Sequence, residues 1–347
     1  MPAISIDTFF ACALLVSVAL LATASLAGTM QTQINSMQDL NKEAYLRNIA
    51  EHLVTSDGTP VNWGATSAVP DGFGLSDCDS SYLYAIDVDK INRLNNQSDY
   101  ALSYFQVAQA TRLNNIALGI SVSQMLSITV TLSDTSSIAD ETAYTFRISV
   151  SQASGPLIAA LQCYVVAQDF EGEISNTTSS AGVGYITAQI PNASNGPALL
   201  IVFARASFDN RITSYGTYSF AHQSQEPSPN HAFLGLSPLN YTLNVNENYP
   251  DINIEHGYAF SYTYQSNLTS ISTDTYAIPE FADQSPAVLV ISGQNGTTSF
   301  VEWIAYPDIP LDFGSNFEDS ERNVFVYTIL VKGTLYKLTL CFGDWVK

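Results

Sequence analysis

The sequence predicts a mainly β fold behind a long N-terminal α-helix, with a β-sandwich and a second β-rich domain further along the chain. Three observations predict it. Residues 9–27 form an uncharged apolar run; residues 31–55 contain no Pro or Gly and space their apolar side chains mostly at three- to five-residue steps; beyond Leu126 the apolar period drops to two.

A run the length of residues 9–27 is about what a helix needs to cross a bilayer core at about 1.5 Å rise per residue. A cleaved secretory signal is the alternative, since Ala22-Thr23-Ala24 and Ser25-Leu26-Ala27 offer small residues at a signal peptidase spacing. Such signals open with basic residues, whereas the first one here is Lys42 and only Asp7 precedes the run. The expectation is a retained single-pass anchor, with the N-terminus inside and the bulk of the chain outside from about Met30. In residues 31–55, Ile34, Met37, Leu40, Ala44, Ile49 and Leu53 suit an amphipathic helix, which Asp57-Gly58-Thr59-Pro60 ends with turn chemistry. A continuous helix to Thr55 would be on the order of 70 Å long. Asp7 suits its first turn, at the positive end of the dipole.

Residues 102–113 read as a second, short helix. Leu126-Ser127-Ile128-Thr129-Val130-Thr131-Leu132 alternates strictly, as a half-buried strand does. Residues 144–150, 161–167, 184–190, 198–203 and 216–220 are further β-branched or aromatic runs separated by Ser, Asn, Gly and Pro, a number and spacing that fit a sandwich. Glu226-Pro227-Ser228-Pro229-Asn230 reads as a linker. After it, residues 258–264, 287–291, 298–305, 324–331 and 335–342 are candidate strands, the last two joined as a hairpin through Lys332-Gly333. The expected domains are 1–55, a transmembrane and stalk helix; 56–122, the first part of an α/β head; 123–225, the sandwich; and 226–347, a C-terminal β-rich domain that completes the head or follows it in tandem.

The two-part N-terminal helix before a β-rich head resembles archaeal type IV pilin-like surface proteins, and Asp7 would be the acidic fifth residue of the mature helix were the chain cut before Ala3. Residues 57–64 (DGTPVNWG) and 84–104 (YAIDVDKINRLNNQSDYALSY) resemble recurrent segments of uncharacterised archaeal surface proteins with such N-termini, although Trp63 also reads simply as a core aromatic. The order of residues 126–204, with a turn region at 170–180 and a strand ending at Pro191, resembles an immunoglobulin-like domain of surface proteins. The resemblance implies a spacer or adhesive role without known activity, with other surface or pilin-like subunits as partners.

Only 13% of residues are charged, and 12 basic against 32 acidic side chains offer no footprint for nucleic acid. Divalent cations and hydrated sugar surfaces suit this acidity better. Asn96, Asn176, Asn192, Asn240, Asn267 and Asn295 begin Asn-x-Ser/Thr sequons, little more than the roughly four that composition gives by chance, so they permit glycans without demanding them. Cys12 lies in the apolar run. Of Cys78, Cys163 and Cys341, one pair can form a disulfide; Cys78 with Cys341 would join the two ends of the head, and three pairings stay open.

No cofactor, metal site or catalytic set is expected. His52, His222, His231 and His256 have no metalloprotease spacing, and no nucleophile elbow or phosphate loop occurs. Asp77-x-Asp79-x-Ser81 alternates like a calcium loop, yet Tyr82 and Val88 occupy the positions of its Gly and Glu, so it reads as a polar turn. Tyr258, Tyr262 and Tyr264 are evenly spaced on a presumed strand, and their rings are expected to form one contact surface. The functional expectation is a non-enzymatic, membrane-anchored extracellular surface protein for adhesion or for envelope or filament assembly; the alternatives are a carbohydrate-binding protein or an extracellular enzyme.

Overall fold

In a computed structural model, residues 6–113, 116–168, 170–224, 231–314 and 322–344 are described, the side chains of residues 6–9, 11–12, 19, 27–29, 31–41 and 344 excepted. The expected linker at 226–230 lies outside them. Strands far outnumber helices among the described residues, so the fold is mostly β. The chain divides into two units, Met1–Glu51 and His52–Lys347.

The N-terminal expectation is corrected. Helical backbone runs over Ile6–Thr55, but only its last 14 residues, 42–55, are continuously described with their side chains. The fold class is therefore a many-sheeted β structure with a short N-terminal helix, not a β head on a long stalk. Among the described residues no helix is long and apolar enough to cross a membrane, which overturns the single-pass anchor. The side chains of the run are described only at Phe10 and over residues 13–18 and 20–26, no stretch of which reaches the length a bilayer core requires, and within them Ser17 and Thr23 turn their hydroxyls back onto the carbonyls of Ala13 and Leu20.

In the larger unit, the helix end is tied by Ser56 N–H to the His52 carbonyl at 2.9 Å, and Leu75 N–H donates to the Leu53 carbonyl at 2.9 Å. The loops that follow wrap the fully buried Trp63, which lies in the 3-10 turn Trp63–Ala65 and donates its indole N–H to the Gly74 carbonyl. A short helix, Val88–Asn92, is capped by Asp87, whose carboxylate accepts from Asp89 and Lys90 N–H. It places Lys90 and Arg93, both buried, 5.9 and 5.6 Å from the Trp63 ring. Helix Tyr104–Thr111 starts in a Ser103/Gln106 capping box and ends at left-handed Arg112.

Five four-stranded sheets follow. In one, Ser127–Ile138, Glu141–Gln152 and Val183–Pro191 are successive neighbours, with the two-residue strand Gly155–Pro156 beside the second. In the next the order is Phe170–Thr177, Ala159–Ala167, Gly196–Ala206, Thr213–His222. The expected turn region at 170–180 is thus mostly a strand, its alternation carried by Phe170, Gly172 and Ile174 where the sequence shows little apolar character.

These two sheets bury Phe146, Ile148 and Ile186 of the first against Leu161, Val165, Leu200, Val202 and Phe220 of the second. The opposite face of the second sheet, with Tyr164, Leu199, Ile201 and Phe203, packs on Tyr258, Phe260, Val288 and Val290 of a third. That third sheet is ordered Gln265–Asn267, Ile252–Phe260, Ala287–Asn295, Thr298–Tyr306. The second sheet is therefore a middle layer, which is why residues 198–204 (ALLIVFA) read as a continuous apolar run instead of an alternating one.

A fourth sheet joins distant parts of the chain: Leu311–Gly314, Ile116–Gln124, Thr334–Asp344, Arg322–Val331. Its last two strands form the hairpin at Lys332-Gly333, both with positive φ and Val331 facing Thr334. The fifth, Leu234–Leu239, Thr242–Glu247, Thr275–Ala277, Thr269–Ser272, packs beside residues 98–100 through hydrogen bonds described below.

Candidate binding cleft

Segments remote in sequence meet around an open cleft of about 480 Å³. One wall is the loop after helix Val88–Asn92, which presents Asn95, Asn96 and Gln97. Several bonds hold that loop in place: Arg93 Nε donates to the Tyr100 carbonyl at 3.0 Å, Asp99 N–H to Ser237 Oγ at 3.1 Å, Asn244 Nδ2 to Tyr100 Oη at 2.8 Å and Asn246 Nδ2 to Asp99 at 2.8 Å. The other wall is the end of strand Thr298–Tyr306, with Trp303 and Ile304, and the Asp308-to-Asp312 segment that leads into Leu311–Gly314. His231 completes the lining.

Trp303 is partly exposed and sits edge-on to Tyr215 at 6.4 Å. Tyr215 in turn donates its hydroxyl to the Ile309 carbonyl, which fixes the wall segment. Asp308 receives a hydrogen bond from Asn95 Nδ2, and its own N–H donates to Asn92 Oδ1 at 2.9 Å. Burial pushes the Asp308 carboxyl up to about 6, against the lowering effect of Asn95. Burial likewise lowers the His231 imidazole below its ordinary value. The cleft then holds the carboxyls of Asp308 and Asp312 together with three amides and a large aromatic ring. This set can pair with hydroxyl and amide groups of a neutral ligand and repels anions.

No family model matches the chain, and no curated protein matches it. Among solved structures it is similar to HBP35 of Porphyromonas gingivalis, at TM-score 0.21 and 11% identity over 52% of this chain and 63% of that one. It is also similar to human GIVD cytosolic phospholipase A2, at TM-score 0.16 and 8% identity over 67% of this chain and 33% of that one. The chain spans less than two thirds of either neighbour's length, and likenesses at such scores carry no argument.

Of the six sequons, Asn96 lies exposed on the rim of the cleft. Asn176, Asn240 and Asn267 are exposed as well, while Asn295 is half-buried and Asn192 is half-buried with its side-chain oxygen accepting from Thr142 Oγ1 at 2.7 Å. The tyrosine surface does not form as expected. Tyr258 is in the core beside Phe260, because the strand ends at Phe260 and its inner face is the one that carries Tyr258. Tyr262 lies beyond the strand under the Arg205 guanidinium at 3.7 Å, and only Tyr264, 46% exposed and stacked on Phe281, faces outward.

Cys78, Cys163 and Cys341 are free thiols, so the Cys78–Cys341 pairing is corrected too. Cys78 is exposed on the polar turn, whereas Cys341 lies inside the fourth sheet opposite Gly119 and Val324. On that turn Asp77 accepts from Asp79 N–H at 3.0 Å, an Asx turn, and Asp77, Cys78 and Asp79 cluster within 4.8 Å.

Trp303, Asp308 and Asp312 were invisible as a set in the sequence. Trp303 reads there as one more strand aromatic, and the loop at 95–97 lies some two hundred positions away from it.

Proposed function

We propose that this protein is a non-enzymatic carbohydrate-binding protein that serves adhesion, with the cleft around Trp303 as its sugar site. The observation that carries the reading is the lining itself: one large partly exposed aromatic ring among amides and carboxyls on a rigidly held frame. A pyranose offers an apolar C–H face that an indole covers, and hydroxyls around its edge that amides and carboxylates pair with. The acidity of the cleft selects neutral or amino sugars over anionic ones. An adhesive role agrees with what the resemblance to archaeal surface proteins implies.

The test is binding of the full chain to immobilised neutral oligosaccharides (gluco-, manno-, galacto- and N-acetylglucosamine oligomers), followed by titration with tryptophan fluorescence. Binding to at least one series is expected, weakened about tenfold or more in Trp303→Ala and about two- to tenfold in Gln97→Ala, where one edge hydrogen bond is lost. Gln97 is exposed, so its variant keeps the fold. Unchanged affinity in both variants, or no binding to any series by the unaltered chain, would overturn the reading.

A further inference from the structure

The strand Arg322–Val331 is the outermost of its sheet, and its free side is only partly covered. Leu330 N–H donates to the Tyr84 carbonyl at 3.0 Å, and the Leu330 carbonyl accepts from Ile86 N–H at 2.8 Å, in a parallel bridge. Leu330 therefore directs its backbone groups away from its partner strand Thr334–Asp344. By the two-residue alternation of an antiparallel ladder, Thr328, Val326 and Val324 do the same. The segment at 82–84 turns away, Ala85 N–H reaching back to the Tyr82 carbonyl at 3.2 Å, so nothing among the described residues pairs with those three.

This edge lacks the usual protection. Exposed sheet edges are guarded by Lys, Pro or a bulge. Here residues 323–331 (NVFVYTILV) carry no charge and no Pro, the register with Thr334–Asp344 is unbroken, and Val324 and Val326 are 45% and 57% exposed.

We propose that this edge is where two copies of the chain join, antiparallel strand to antiparallel strand, into one continuous sheet. The register that uses the whole open edge is centred on Phe325, so that Val324 of one copy faces Val326 of the other and Arg322 faces Thr328. It gives about eight inter-chain backbone hydrogen bonds. It also sets two pairs of valines side by side on the solvent face, where like apolar pairs stabilise a sheet. A second copy is the occupant because the window is self-complementary: its one charged residue, Arg322, is a cation that each copy brings to a chain of net charge −20, and no like charges oppose one another across the ladder.

Sedimentation velocity of the full chain from about 1 to 100 µM checks it. A concentration-dependent dimer is expected. Val326→Lys, at an exposed position, should shift the sample to monomer, as should Thr328→Lys, which serves if the first variant folds poorly. Val326→Pro removes only the outward N–H and should do likewise. A monomeric unaltered chain at all concentrations overturns the proposal, whether or not the edge then accepts a strand from another protein. A dimer that persists in both lysine variants, each shown folded by circular dichroism, overturns it as well.

Discussion

Lys90 is a buried cation, and what answers its charge is mostly backbone. Its ammonium donates to the carbonyls of Asp57 at 2.9 Å and Ser76 at 2.6 Å, with the Asp87 carboxylate at 3.9 Å. Burial lowers its pKa, against the raising effect of Asp87. Arg93 has the same role just beyond the helix end, donating to the carbonyls of Tyr100 and Ala68 at 3.0 and 2.8 Å and to that of Trp63 at 2.5 Å. The two residues thus replace regular secondary structure as the partners of these loop carbonyls. Lys90→Met keeps the stem and orphans two acceptors, so urea denaturation is expected to show a loss of about 2–4 kcal/mol. A loss below about 0.5 kcal/mol would mean that water satisfies those carbonyls in its place. From the sequence, residues 57–64 and 84–104 stood out only as recurrent segments. Their meeting across Trp63 was not legible, since a Lys and an Arg on a polar-looking stretch read as solvated.

At the scale of elements, strand Gly196–Ala206 shows what periodicity can and cannot say. A run of apolar residues at 198–204 identifies a strand by its β-branched content and its Gly and Pro flanks, and the structure has one there. The same run cannot reveal that successive side chains enter different cores. Leu200 points toward Phe146 and its sheet, Ile201 toward Phe260 and the third sheet. Leu200→Ala and Ile201→Ala are accordingly each expected to cost about 2–5 kcal/mol in chemical denaturation. In a half-buried strand only one of two neighbours would. A cost under about 1 kcal/mol for Ile201→Ala would show the third sheet to be loosely packed on the middle one. The sheet that joins Ile116–Gln124 to the C-terminal hairpin was half legible. The Lys332-Gly333 turn announces the hairpin, while its partner strand reads IALGISVSQ, too mixed in apolar and polar residues to signal a central strand.

For the whole molecule, three desolvated carboxyls, two buried and one half-buried, decide how stability varies with pH. Burial pushes Asp89 and Asp308 up to about 6 and Glu302 up to about 7. Their partners only moderate this. Asp89 accepts from Asn240 N–H at 2.9 Å and Tyr306 Oη at 3.2 Å, and Glu302 from Phe233 and Leu234 N–H at 2.5 and 3.0 Å. In the unfolded chain all three titrate near about 4. Between pH 4 and 7 the folded state thus binds more protons than the unfolded one, and the stabilisation that protonation gives is complete below pH 4 and lost as pH rises through 6 to 7. Growing self-repulsion of a chain of net charge −20 has the same sign. Over the range from pH 5 to 8 the melting temperature is expected to be highest at pH 5 and to fall as pH rises. The accompanying loss is on the order of a few kcal/mol, since a tenfold change in proton affinity corresponds to about 1.4 kcal/mol. Glu302→Gln, which keeps the shape but cannot ionise, should make the decline between pH 5.5 and 7.5 shallower. Calorimetric scans across that range decide the matter: a melting temperature that climbs steadily from pH 5 to 8, or an unaltered slope in Glu302→Gln, would mean that these acids reach water in the folded state and titrate as they do in the open chain.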